Sequence, residues 1–300
     1  MKFIKEMVQF KLTLLIALSM LSCNGQQEKK INSNKQPVMI QNPYYIAEIT
    51  SSRCSVEFLL NGIPNYNHFE EENTASTATI EWPINPFIIE NGLQHFEIKV
   101  MPLKNSSSIL PKAFVRVKIY KTEAIQEYIP HESVSEEIEV TFTDKKNLPF
   151  YIIKDIFQAE LPFNFTGWKN SVDLSKENKD ELYQEIIKWN EEIASIYQTS
   201  NQEKYYTAFK SRDMELNKSL YLPQSKSFSF HPQDKYILPL PNKLYKLELY
   251  ADGKLASVRI PYELPGFRYD PKVKNEDSMG FSLNVYFHRR EIGLPLEIIR

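Results

Sequence analysis

The side chains able to do chemistry are few and scattered. The five histidines are His68, His95, His131, His231 and His288. None falls in the HExxH spacing that puts two zinc ligands on one helix face, and no cysteine pair is spaced to complete a metal site. A GxSxG elbow, a phosphate-cradling glycine loop and a dinucleotide fingerprint are all missing from the sequence. With only eight glycines in 300 residues, such loops are hardly available. Carboxylates are plentiful, but none is singled out as half of an acid/base pair. No cofactor is therefore expected, and no catalytic residue is assigned.

The best group of candidate binding residues lies near the C-terminal end. Ser282, Asn284, Tyr286 and His288 alternate with Phe281, Leu283, Val285 and Phe287. In a strand, the polar four would share the face turned away from the core. Arg259 is expected nearby on the preceding hairpin, and Arg289 and Arg290 follow the strand. Tyrosine and arginine recur at binding hot spots, so Arg259, Asn284, Tyr286, His288 and Arg289 form the expected binding surface. A long loop from Pro261 to Gly280, carrying Arg268, Tyr269, Asp270 and Lys272, would cover it.

The elements that must position this surface are mostly strands. Leu247 and Leu249 alternate with Lys246 and Glu248, Asp252-Gly253 makes a turn, and Ala256, Val258 and Ile260 return, which reads as a hairpin. Before it stands the one long helical stretch, Ser175 to Lys218. Leu182, Ile186, Trp189, Ile193 and Ile196 recur at steps of four and three, so they share one helix face. Ser175 is the expected N-cap. Ser200 with Glu203 reads as a capping box opening a second helix. That helix would turn Tyr205, Phe209 and Leu216 inward. Arg212 interrupts its apolar face, either paired to Glu215 one turn on or pointed into a ligand pocket.

Earlier in the chain, Tyr44 to Thr50, Cys54 to Leu60, Thr77 to Trp82 and His95 to Met101 read as short strands. Asn61-Gly62 and Asn91-Gly92 are turn signals, and Glu70, Glu71 and Glu72 mark a solvated loop. This pattern resembles the immunoglobulin-like β-sandwich modules of exported bacterial proteins, without the paired cysteines of antibody domains. The expected fold class is therefore mainly β with an α+β part: a β-sandwich at 42–105, then an α+β domain at 106–300 with helices at about 175–218 on an antiparallel sheet. Strands up to about residue 145 are assignable to either domain.

The first residues carry Lys2, Lys5 and Lys11, then an apolar run from Leu12 to Leu21. A run of this length falls short of the ~20 residues that span a bilayer, and reads as a secretory leader of residues 1–22. Met20-Leu21-Ser22-Cys23 resembles the lipobox of bacterial lipoproteins, with Met20 where leucine is commoner. The resemblance implies cleavage before Cys23 and acylation of that residue. Asn24 in place of Asp implies the outer membrane. The polar segment up to residue 41 then reads as a tether. Cys54 is left as a single thiol, so no intramolecular disulfide can form; a buried structural role is expected.

The formal net charge is −2, and removing the leader's three lysines and one glutamate shifts it to about −4. This balance speaks against nucleic acid as a partner. The expectation is a lipid-anchored cell-envelope protein that binds a protein or glycan partner without catalysis, one version being an immunity-type lipoprotein. The alternatives are a small-molecule or glycan receptor with its pocket in the C-terminal domain, and an envelope hydrolase.

Overall fold

The computed structural model describes residues 40–69, 76–124, 132–143, 148–223, 228–231, 237–272 and 280–300. Cys23 and its leader, most of the tether, the Glu70–Glu72 run and His131 lie outside the described residues.

Among the described residues nine strands come first: β1 (Pro43–Ser52), β2 (Ser55–Leu60), β3 (Ile63–His68), β4 (Thr77–Pro83), β5 (Gly92–Met101), β6 (Phe114–Glu123), β7 (Glu132–Ser133), β8 (Ile138–Thr141) and β9 (Tyr151–Ala159). They form two antiparallel sheets. One runs β4-β1-β6-β7, with β8 also on β6, and the other runs β3-β2-β5-β9. Alternating residues from both sheets, among them Ala47, Phe58, Phe96, Ile98, Val115, Val117 and Phe157, meet in one buried cluster. The layering is sheet on sheet, but these strand orders do not establish an immunoglobulin-like topology: β1 is flanked by β4 and by β6, which comes after β5 in the chain. Strand β2 is buried along its whole length, so its one charged residue, Glu57, is buried too.

Asn61-Gly62 makes the expected two-residue hairpin, with both φ angles positive (52° and 76°). Asn91-Gly92 does not make one. Asn91 instead clasps Leu161, accepting its backbone N–H at 2.5 Å and donating to its carbonyl at 3.1 Å. Cys54 is buried, its thiol 3.7 Å from the Phe114 carbonyl.

Two helices follow, α1 (Lys179–Thr199) and α2 (Gln202–Ser219), and then β10 (Ile237–Pro239), β11 (Lys246–Tyr250), β12 (Leu255–Arg259), β13 (Phe267–Pro271), β14 (Phe281–Leu283), β15 (Phe287–His288) and β16 (Glu297–Ile298). The strands make two short antiparallel sheets, β10-β13-β14 and β11-β12-β15-β16. The α1 stripe of Leu182, Ile186, Ile193 and Ile196 buries against residues of both, including Val258, Phe267 and Phe287. The fold is a β-rich α+β structure with two main helices.

The helix ends differ from the sequence reading. Ser175 lies in a short 3-10 turn, and α1 is capped by Asn178, whose Oδ1 accepts from the N–H groups of Asp180 and Glu181. Ser200 takes a left-handed conformation (φ 51°) to end α1. An N-cap needs extended backbone, so Asn201 caps α2 and accepts from Lys204 at 2.9 Å. No Ser200–Glu203 box forms. Leu216 is only half-buried, and Arg212 pairs with Asp213 at 2.8 Å, not with Glu215.

The expected strand from Phe281 to Phe287 is broken in two. Phe281–Leu283 pairs with β13, whereas Phe287 pairs with β12 and β16. Residues 284–286 carry the chain from one sheet to the other. The stretch expected as a long covering loop contains β13, so Phe267 and Tyr269 are core residues.

Candidate functional site

The face carrying the expected binding residues is not open to solvent. Tyr286 is 2% exposed and packs with Ile63, Trp168, Tyr250, Leu255 and Ile299, a cluster drawn from both halves of the fold. Its hydroxyl donates to the Pro64 carbonyl. Burial raises the ionisation of that hydroxyl well above the usual phenol range. Strand alternation identified the side turned away from one core, and that side is covered by the other half.

The two expected arginines are held by ion pairs. Arg259 donates to the buried carboxylate of Glu57 and to the Glu263 carbonyl at 2.7 Å. Arg289 grips Glu177 with two hydrogen bonds (2.8 and 3.0 Å) and Glu185 with a third (2.8 Å), tying the segment after β15 to α1. The Glu177 and Glu185 hydrogen bonds raise its pKa. Asn284 is exposed, and its Oδ1 lies 3.4 Å from Arg268 Nη1. Arg259, Asn284, Tyr286, His288 and Arg289 therefore do not form one open patch.

His288 instead borders a cleft of about 610 Å³ between the loop at 166–171, α2 and the end of β15. The ring is 3% exposed, its Nδ1 lies 2.7 Å from Ser171 Oγ, and its Nε2 has no hydrogen-bond partner. Burial, then the neighbouring charges of Arg290 and Arg300, lower its pKa to about 4. The ring is therefore neutral at neutral pH. It is also a weak base, and among the described residues no carboxylate orients its second nitrogen. Serine activation normally uses a histidine oriented by a third group, so this pair serves hydrogen bonding better than proton abstraction.

The rest of the cleft favours an anion. Lys210 on α2 sits 5.8 Å from the Tyr206 ring centroid, and among the described residues no carboxylate is paired with it. Arg290 donates to Ser211 Oγ at 3.1 Å and pairs with Glu297 at 2.8 Å. Among the described residues Glu215 is the one carboxylate on the wall, and its charge is balanced by Arg300 at 2.9 Å. Asn170, Ser171 and Ser211 add neutral donors and acceptors.

His288 also sets a pH dependence. Its folded pKa is about 4, below the ordinary 6.5, so below 6.5 the unfolded chain binds a proton that the folded chain refuses. Stability should fall as pH drops from 6.5 towards 4. Equilibrium urea melts across this range should show a shallower loss for His288→Gln; an identical slope would remove His288 as its source.

The sequence pointed to His288 and Arg290 but not to Ser171, Lys210 or Glu215, which come from a loop and a helix face with no motif. Among the described residues no cluster of histidine, cysteine and carboxylates is placed to hold a metal, and no helix is long and apolar enough to cross a membrane. No family model matches the chain, and neither a curated protein nor a solved structure matches it.

Proposed function

We propose that the protein is a lipid-anchored cell-envelope binding protein whose cleft takes an acidic saccharide. One observation carries the glycan reading: a cleft of about 610 Å³ combines the cations Lys210 and Arg290 with Asn170, Ser171, Ser211 and the edge of His288. That volume suits a small ligand, and the mixture matches a molecule with several hydroxyls and one acid group. The anchor rests on the Met20–Cys23 sequence.

The test is calorimetric titration with a uronic-acid oligosaccharide and with its neutral counterpart. The acidic sugar should bind saturably and at least about tenfold more tightly, since a hydrogen bond to a charged group contributes ~1.5–3 kcal/mol. Lys210→Ala should remove most of that preference. Equal or absent binding of the two sugars would sink the glycan reading. The anchor has its own arm: Cys23→Ala should abolish lipid labelling and membrane retention.

A protein partner is the second reading, and the immunity-type version belongs to it. It is favoured by Leu93, Phe150, Ile152 and Ile156, which are exposed on or beside β5 and β9, the last strand of its sheet among the described residues. A free strand edge with exposed apolar side chains is a template for a partner chain. Ile152→Asp with Ile156→Asp separates the readings: sugar titration should be unchanged, whereas capture of a protein from crosslinked membranes should be lost.

A further inference from the structure

A second, smaller cavity of about 180 Å³ lies where β3, β4, α2 and the 284–286 crossover meet. Most of its wall is apolar, including Trp82, Pro86, Phe87, Leu216 and Tyr286. Besides Asn284, three polar residues share that wall: Asn65, Arg212 and Arg300. Each carries a buried atom with no hydrogen-bond partner, namely Asn65 Oδ1, Arg212 Nε and Arg300 Nη2. An unpaired buried polar atom costs about 1–3 kcal/mol, and native structures hold few of them. Three around one cavity are therefore a signal of something that binds there.

The remaining hydrogen-bonding capacity describes the ligand. Arg300 has committed Nε to the Pro86 carbonyl and Nη1 to Glu215 and the Ile299 carbonyl. Arg212 has committed Nη1 to Asp213. Arg212 Nε and Arg300 Nη2 are left as buried donor atoms without a partner, together with one amide oxygen, Asn65 Oδ1. The ligand must offer acceptors to the arginines and a donor to Asn65. A carboxylate supplies the acceptors. An ammonium donor would bring a third cation beside two guanidinium groups, whereas a hydroxyl donates without charge. The volume holds about six waters at roughly 30 Å³ each, or an acid of a few carbons, and the apolar wall suits a branched aliphatic tail.

We propose that this cavity is a binding site for a short aliphatic α-hydroxy acid, with the carboxylate on Arg212 and Arg300, the hydroxyl on Asn65 and the alkyl group against Trp82, Phe87 and Leu216. The site is separate from the saccharide cleft, although the Arg300–Glu215 ion pair stands between the two.

The experiment titrates the full folded chain with α-hydroxyisovalerate, isovalerate and valine, read by calorimetry and by melting temperature. The hydroxy acid should bind saturably and raise the melting temperature. Isovalerate, which leaves Asn65 unpaired, should bind about tenfold more weakly, and valine more weakly still. Arg212→Gln should reduce affinity at least tenfold, and Leu216→Phe, which fills the cavity from the apolar side, should block binding in a folded protein. Lys210→Ala should leave it unchanged. Absence of saturable binding by the hydroxy acid, or binding indifferent to both Arg212→Gln and Leu216→Phe, would overturn the proposal and leave the cavity as a water site.

Discussion

Glu57→Ala is expected to cost about 3–5 kcal/mol of stability, the range for removing one partner of a buried ion pair. The Glu57 side chain is 3% exposed, on a strand buried along its whole length. It receives Arg259 Nη2 on one oxygen and stands 3.5 Å from Lys99 Nζ on the other. Burial alone would lower the Arg259 pKa, yet the Glu57 charge and hydrogen bond outweigh it, and the guanidinium ends up above its usual value. Without Glu57, a half-sheltered cation loses its main counter-charge at the joint between the sheets. At ~2–4 °C per kcal/mol for a chain of this size, the melting temperature should drop by on the order of 10 °C. The double variant Glu57→Leu with Arg259→Met should recover most of the loss, because a well-packed apolar pair avoids desolvating two charges. Thermal and urea melts of the parent and the two variants decide this. A single variant within about 1 kcal/mol of the parent would mean that water reaches the pair and screens it.

Gly266→Ala is the second large effect, about 3–5 kcal/mol from two sources. The backbone at Gly266 has φ 131°, in the region that L side chains rarely adopt, and an added Cβ would fall 2.1 Å from the Leu283 carbonyl oxygen and 2.7 Å from Asn284 Cα. Backbone strain of this kind costs ~1–3 kcal/mol, and forcing atoms into a filled space costs about as much again. The obstacle is backbone, so no side chain can rotate away. Gly293→Ala is the control: its φ is also positive (85°), but nothing lies within 4 Å of the added atom, so only a conformational cost of about 1 kcal/mol remains. Equal melting temperatures for the two variants would show that the close approach of residues 266 and 283–284 does not hold in solution. Because that approach places the crossover to Tyr286 and His288, Gly266→Ala should also weaken sugar binding in the cleft.

The same crossover explains what the sequence concealed. Local signals translated well where they depended on two or three neighbouring residues. Asn61-Gly62 turned the first hairpin, Asp252-Gly253 turned the β11–β12 hairpin, and the stripe from Leu182 to Ile196 defined the buried face of α1. Alternation from Phe281 to His288 correctly separated two sides of an extended chain. It carried no information on whether a second layer covers the polar side. Tyrosine and histidine suit a solvated face and a packed one equally, provided the polar tip finds a partner, and Tyr286 finds it in Pro64, more than 200 residues away. The competition between Ser200 and Asn201 for the helix cap was likewise decided by a backbone reversal that residue type does not specify. Arg212 was legible in outline: an arginine breaking an apolar helix face does line a cavity. Its partner residues Asn65 and Arg300 lie on elements far from it in sequence.

The central place of β1 has a mechanical meaning. The chain enters the described fold through this strand, which is paired along ten residues to β6 and along seven to β4. Ladder hydrogen bonds stand perpendicular to the strands. A pull on the preceding segment, directed along β1, therefore loads both ladders in shear and must break many bonds together instead of one after another. If the proposed lipid anchor holds the residues before it at a membrane, traction would meet the molecule at a strand paired on both sides.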